Sequence, residues 1–397
     1  MPTGVEGFVP ARLRMARAAR ALLQRELAVL VDRSDGTVSK WESGDQAPEP
    51  SVIHTLSTVL EVDSGWFFKP ADRASGASFF RSLKSALGRM RDKAEAKLDF
   101  IESIFDAISM YIDLPDVDIP DIIGGRDFRT LRGSDVEHCA RLLREHWSLN
   151  EEPIDDLLLV IENAGVIVGH DELGSEKLDG VSRWSNGRPY MLLARDKNVG
   201  VRRRFDAAHE LGHIVLHKHV TPDELYAHFN LIEEQAMLFA GAFLLPDASF
   251  GDDVRSLSLD ALLGIKLKWK VSVAAMIKRL SAMERVSADY ERKLWQYYSY
   301  RRWRGFEPLD DVIEVEQPHN LAASINIALS EGGISRSELF RNINLRPKDI
   351  SNLTGISESL LTPSNVNLIR LHPVVKSNIA PSQEAKVINI SDRGKRL

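Results

Sequence analysis

The chain has 397 residues, 44% apolar and 27% charged, with a net charge of −6. That is a globular composition long enough for two or three domains, and it excludes a bulk-basic nucleic-acid binder, so any DNA contact has to come from a local patch. The single cysteine, Cys139, excludes a disulfide framework and a cysteine-based zinc knot and reads as a buried structural thiol; with no secretory h-region and no run of roughly 18 apolar residues, a soluble, cytoplasmic protein without membrane contact is expected.

Residues 10–69 read as a series of short helices. ARLRMARAARALL is the first and QRELAVLV the second. A polar break, DRSD, leads into GTVSKWESG, and GDQAPEP is a turn by composition. SVIHTLSTVLEV is a fourth amphipathic helix, and GWFF places three aromatics as a cap over a small helical core. ADRASGAS, small and polar, is a linker candidate. The stretch 79–112 then carries Leu83, Leu87, Met90, Leu98, Ile101, Ile104 and Phe105 at helical spacing. It reads either as a spacer or dimer face, or as a helix packed onto a core. PDVDIPD ends it, because proline and aspartate punctuate the chain there.

From about residue 134 the character is mixed α/β. DVEHCARLLREHW and PIDDLLLVIENAG are helical. GVIVGH, DGVSRWS and PYMLLAR are short β-type runs rich in β-branched and aromatic residues. FDAAHELGHIVLH follows as a helix, then LIEEQAMLFAGAFLLP, and two further helical regions run to about 305. The remainder opens with the acidic stretch EPLDDVIEVEQPHN. It continues as helices, with GGISRSELFRNINLRPKDISNLTGI showing a helix–turn–helix rhythm without a concentrated basic face, and ends in the polar SDRGKRL. A small accessory unit for partner recognition, or for covering a cleft, is the expectation there.

HELGH is the first stretch that carries chemistry. Residues four apart share a helix face, so His209 and His213 can hold one zinc ion (Zn2+), with Glu210 beside it as candidate general base. Leu211, Ile214, Val215 and Leu216 are the apolar flanks of a buried helix. Gly212 costs about 1 kcal/mol inside a helix and therefore needs a reason, such as close approach of another element. A third ligand is best sought in IEEQAMLFAGAFLLP, from Glu233 or Glu234, since adjacent helical residues point about 100° apart and normally one of the two reaches the metal. His217 lies a further turn along the same face, too far to share the ion, and His219 and His228 read as surface residues.

SRWSNGRPYMLLARD, RRRFDAAHELGHIVLH and EEQAMLFAGAFLLP together resemble the ImmA/IrrE family of zinc metallopeptidases, over roughly residues 134–250. Aligning on Ala236, Phe239 and Ala240 puts Glu233 in the family's ligand position, with Glu234 as the fallback. The family's usual asparagine after that alanine is Met237 here.

At the N-terminus, QRELAVLV, DRSD and DGTVSKWESG have the layout of a helix-turn-helix, with Leu27, Ala28, Val31 and Val38 between the helices and Trp41 behind the second. On periodicity alone, a small helical protein–protein module with a basic face fits as well. WESGDQAPEP resembles the Xre/Cro family, in which a Trp-Glu-x-Gly turn follows the recognition helix. The resemblance implies that Arg25, Ser34, Asp35, Thr37, Ser39 and Lys40 face a double-stranded DNA operator. Arg12, Arg14, Arg17, Arg20, Arg25 and Arg33 add the positive charge that suits phosphate contact. Two departures stand out: Gly36 lies inside the recognition helix, and Asp35 turns an anion toward the duplex.

The expected fold is therefore multidomain: an all-α Xre-type helix-turn-helix domain (1–70), a helical linker or dimerisation segment (71–130), an α+β zincin-like metallopeptidase domain (131–305) and C-terminal helices (306–397). Members of the resembled peptidase family cleave repressors that carry an Xre-type domain. The chain is expected to be a DNA-binding transcriptional regulator, a homodimer on a two-fold operator, whose zinc endopeptidase domain cuts such a repressor or the chain itself. The alternative is a repressor whose peptidase-like domain serves sensing or oligomerisation without turnover.

Overall fold

The computed structural model describes residues 4–71, 76–80, 88–175, 177–196 and 198–362. The N-terminal helices are α1 (Pro10–Ala19), α2 (Gln24–Leu30), α3 (Asp35–Ser43) and α4 (Pro50–Val59). Pro10 and Pro50 open their helices, where a missing N–H leaves no bond unmade. Ser34 caps α3 by accepting from the Thr37 N–H at 3.2 Å, and Gly44 ends it in the left-handed region at φ 87°. Leu27, Ala28, Val31, Val38 and Trp41 are all buried, as expected. Of the three aromatics at 66–68, Trp66 and Phe67 cap this core, while Phe68 is 38% exposed.

Helix α5 (Gly88–Ile108) runs through the middle of the molecule. Leu98, Phe100, Ile101 and Ile104 are completely buried inside this chain, so they offer no dimer face and no open spacer. The Phe100 ring meets Trp66 edge-on at 4.9 Å on the helix-turn-helix side. On the other side Arg183 of the sheet is buried against Asp99 and Glu102. Leu83 and Leu87 lie outside the described residues.

Helices α6 (Gly133–His146) and α7 (Leu157–Asn163) lead into β1 (Ile167–Asp171), β2 (Gly180–Ser185) and β3 (Arg188–Ala194). The strand order is β1-β3-β2, with β1 parallel and β2 antiparallel to β3. Asn186 and Gly187, at φ 49° and 79°, make the two-residue turn that a tight hairpin requires. Every residue of β1 and β2 is buried, because helices cover both sheet faces. Gly180, Ser182 and Trp184 look toward α8 (Gly200–Leu216), whereas Arg183 and Ser185 bond to Glu102 on α5.

The chain continues as α9 (Pro222–Ala227), α10 (Phe229–Leu244), α11 (Asp247–Asp253), α12 (Leu259–Trp269), α13 (Val273–Ala282) and α14 (Ala288–Tyr300). Lys270, left-handed at φ 52°, breaks α12 from α13. Helices α15 (Asn320–Ser330), α16 (Arg336–Ile343), α17 (Pro347–Thr354) and α18 (Glu358–Leu361) complete the described chain. Helices α15 and α17 pack on α5 and β1, and α16 on α5. That is the face away from α8, so these helices do not close over the histidines. They share one continuous core with the helix-turn-helix, α5 and one face of the sheet, while α6–α8 and α10–α14 enclose the other face. SDRGKRL lies outside the described residues.

Candidate functional site

Two helices make the site, and one glycine lets them meet. A Cβ added at Gly212 of α8 would stand 3.2 Å from the Cα and carbonyl oxygen of Ala236 on α10 and from Phe239 Cδ1. Backbone cannot yield to a side chain there, which explains the glycine inside a buried helix. Gly212→Val is expected to push α8 and α10 apart and to destabilise the chain by about 1–3 kcal/mol, the usual range for overpacking. Urea denaturation measures this directly; an unchanged midpoint would rule out the close-approach explanation.

With the helices this close, His209, His213 and Glu233 converge, each with a ligand atom within 4.8 Å of the others. The two Nε2 atoms are 3.0 Å apart. The Glu233 carboxylate lies 3.4 Å from His209 Nε2 and 3.3 Å from His213 Nε2. His209 Nδ1 and Glu233 Oε1 are buried without a hydrogen-bond partner. Two imidazole nitrogens and a carboxylate aimed at one point make a candidate metal-binding cluster, consistent with a zinc site. Glu234, one position on, is exposed. His219 is exposed and His228 half-buried, outside the group.

Electrostatics favour the protonation states a cation needs. Burial pushes Glu233 upward, but the His209 and His213 imidazoles facing it outweigh that and hold the carboxyl at about 2. Burial lowers His213 to about 4, which keeps the imidazole neutral. Burial raises the Glu210 carboxyl well above its ordinary value, against a hydrogen bond from Ser182. That bond, Ser182 Oγ to Glu210 Oε2, is 2.6 Å long.

Two partners, Ser182 and Phe79, were not legible as site residues in the sequence, and His217, set aside there as a ligand, takes a supporting place. Ser182 orients Glu210. His217 sets its Nδ1 3.1 Å from His213 Nδ1 and its Nε2 2.9 Å from Gln235 Oε1, a relay that fixes the His213 ring. Phe79 stacks flat on His213, centroids 4.7 Å apart and planes 10° apart. The alternation in DGVSRWS could have grouped Ser182 with Gly180 and Trp184, but not with α8. A cavity of about 570 Å³ opens beside the site, lined by Asp179, Asp206 and Met237 near the glutamates and by Trp295 and Tyr298 farther out.

On the helix-turn-helix, Arg25, Ser34, Asp35, Ser39 and Lys40 are exposed and Thr37 is half-buried. Ser34 and Thr37 bond each other at 2.9 Å as part of the α3 cap. Asp35 and Gly36 occupy the first turn of α3, where an acid complements the helix dipole. Three of the six arginines grouped as phosphate contacts do other work. Arg12 is buried over Trp66 and donates to the Pro70 carbonyl, Arg17 holds Glu42, and Arg20 holds Asp349. A long guanidinium can reach inward or outward from the same helix, and periodicity does not separate the two. Arg14, Arg25, Arg33 and Lys40 remain on the surface. For a 30-base-pair duplex (length chosen as about three helical turns), Arg25→Ala and Lys40→Ala are each expected to reduce the slope of log affinity against log salt by about 1. Arg17→Ala is expected to leave that slope unchanged and to lower thermal stability instead.

A helix-turn-helix unit joined to a small mixed sheet with flanking helices, the layout of a zincin-like fold, defines the class of protein. Residues 11–65 match the family described as helix-turn-helix domain, and residues 161–281 match a peptidase family described as the IrrE N-terminal-like domain. No curated protein matches the chain. The chain is thus a fusion of an Xre/Cro-type helix-turn-helix with an IrrE/ImmA-type peptidase-family domain. Among the described residues no helix is long and apolar enough to cross a membrane.

Proposed function

We propose that this protein is a DNA-binding transcriptional regulator with a zinc-dependent endopeptidase domain, acting by limited proteolysis of an Xre-type repressor or of itself. The observation that carries the reading is the convergence of His209, His213 and Glu233, with Glu210 on the adjoining turn of α8. Zinc bound there supplies Lewis acidity toward a peptide carbonyl and toward water. His209, His213 and Glu233 hold it, and the His217–Gln235 pair keeps the His213 ring oriented. Glu210 Oε1 takes a proton from the attacking water and delivers it to the leaving amine. Ser182 keeps the other oxygen of that carboxylate fixed at 2.6 Å.

The helix-turn-helix directs this chemistry to an operator through the exposed set on α2 and α3, as a homodimer if the operator is two-fold. A second reading, a regulator that senses through its metal site without turnover, is favoured by burial: His213 is 0% and Glu210 2% exposed.

Metal content by elemental analysis tests the centre. Wild type is expected to hold one zinc per chain, Glu233→Ala and His213→Ala almost none, and Glu234→Ala the full amount. A zinc-free wild type after metal-replete, chelator-free purification would sink the metallopeptidase reading.

A further inference from the structure

Strand β2 is one of the two edge strands of the three-stranded sheet, and its outer edge runs beside Glu210 and His213. An exposed strand edge is a template for an extended peptide, which gains backbone hydrogen bonds along it while alternate side chains enter pockets. In this structure the edge carries a short stretch of the chain itself. The Gly76 N–H donates to the Trp184 carbonyl at 2.8 Å and the Phe79 N–H to the Ser182 carbonyl at 3.0 Å, with Phe79 and Ser182 paired antiparallel.

The side chains of this stretch keep strand parity. Ala77 and Phe79 are buried in the core that contains α8, and Phe80 in the core that contains α5 and the helix-turn-helix helices. Phe79 covers the face of His213, and its pairing partner Ser182 is the residue that holds Glu210. From Ser182 the strand leads back through Gly180 toward Asp179, which lines the cavity beside the site. A substrate running along β2 from that cavity would meet residues 76–80 in its path.

On the peptidase reading an extended substrate lies along the outer edge of β2; we propose that residues 76–80 are an intramolecular occupant of that edge, with Phe79 in the place of an apolar substrate side chain opposite Ser182. This rests on the peptidase reading, since it names the place where the substrate backbone lies. The segment is an autoinhibitory strand that leaves before a protein substrate enters. Two aromatic side chains anchor it, and its Gly76 and Phe79 N–H groups donate to β2. Phe80 lies in the core shared with the helix-turn-helix, so a change in packing there reaches Phe79 through one peptide bond.

Hydrogen exchange with mass spectrometry on the zinc-loaded full chain tests this without any substitution. Residues 76–80 are expected to exchange about 100-fold faster than residues 188–194, as a locally opening unit does. Exchange of the two segments at the same rate would overturn the proposal. In parallel, Phe79→Ser is expected to keep its zinc stoichiometry but lose zinc to a chelator roughly tenfold faster, as a more open site does. An end-blocked Gly-Ala-Ser-Phe-Phe peptide is expected to slow that loss, and a peptide with Asp in the fourth position is not. Equal loss rates in wild type and variant, untouched by the peptide, would also overturn it. If Phe79→Ser does not fold, the wild-type exchange decides. Zinc binding with a fixed strand defeats the strand and leaves the peptidase reading; absence of zinc defeats the peptidase reading while the exchange still reports on the strand.

Discussion

Glu210→Gln is expected to retain one zinc per chain and to lose hydrolysis of a random peptide library by about two to four orders of magnitude, the usual contribution of a general acid–base group. Glutamine keeps the shape and still accepts from Ser182, which donates to Glu210 at 2.6 Å, so the change removes proton transfer while leaving the pocket formed. Glu210 is not one of the three converging groups, so metal content should stay constant. The comparison belongs in both the native and the Phe79→Ser backgrounds, with new termini read by mass spectrometry. Equal cleavage by Glu210→Gln and its parent would remove Glu210 from the chemistry. Full zinc content with no cleavage by either parent would favour the sensing reading.

Asp349→Ala is expected to destabilise the chain by about 3–5 kcal/mol, the cost of breaking a buried ion pair from one side. Asp349, on α17, accepts from Arg20, which caps α1, at 2.5 Å and lies 2.7 Å from Lys97 Nζ of α5; Lys97 in turn lies 2.8 Å from Asp171 of β1. Asp349 and Lys97 are each 4% exposed, so solvent screening offers little relief. Alanine would leave the buried Lys97 with Asp171 alone, and the half-buried Arg20 with Glu61, where the helix-turn-helix, α5, the sheet and the C-terminal helices meet. Urea denaturation followed by circular dichroism measures the loss, and a shift within error of wild type would show that the cluster contributes nothing net.

The same cluster carries a pH signature. Burial pushes the Asp349 carboxyl upward, but Arg20 and Lys97 outweigh it and hold it below the ordinary aspartate value of 3.8. The ionised form is therefore favoured in the folded state. Its contribution is complete above 3.8 and disappears as pH falls through the lower folded value. Wild type and Asp349→Ala should accordingly converge in stability in acid, and diverge fully near neutrality.

Local patterns in the sequence carried much of this protein. The i, i+4 histidines fall on one face of α8 because helical geometry leaves no other arrangement. DGVSRWSNGRPYMLLA had to fold as a hairpin, since Asn186 and Gly187 are the residue types that tolerate the positive φ of a two-residue turn. The helix-turn-helix was equally legible, with Leu27, Ala28, Val31, Val38 and Trp41 turned inward.

What the sequence could not carry was the partner of each buried face. The stretch 88–108 shows an apolar stripe whether that stripe meets a second copy, solvent-side helices or the sheet, and only the packed chain puts it between Trp66 and β3. Arg12, Arg17 and Arg20 look the same as Arg14 in one dimension, yet Glu42, Asp349 and the Pro70 carbonyl draw the first three inward. Glu233 and Glu234 are neighbours in the chain, and the approach of α10 at Gly212 is what turns one to the histidines and leaves the other in solvent. Periodicity specifies which residues of an element share a face; what that face meets depends on groups brought together from distant parts of the chain, and that is decided by packing.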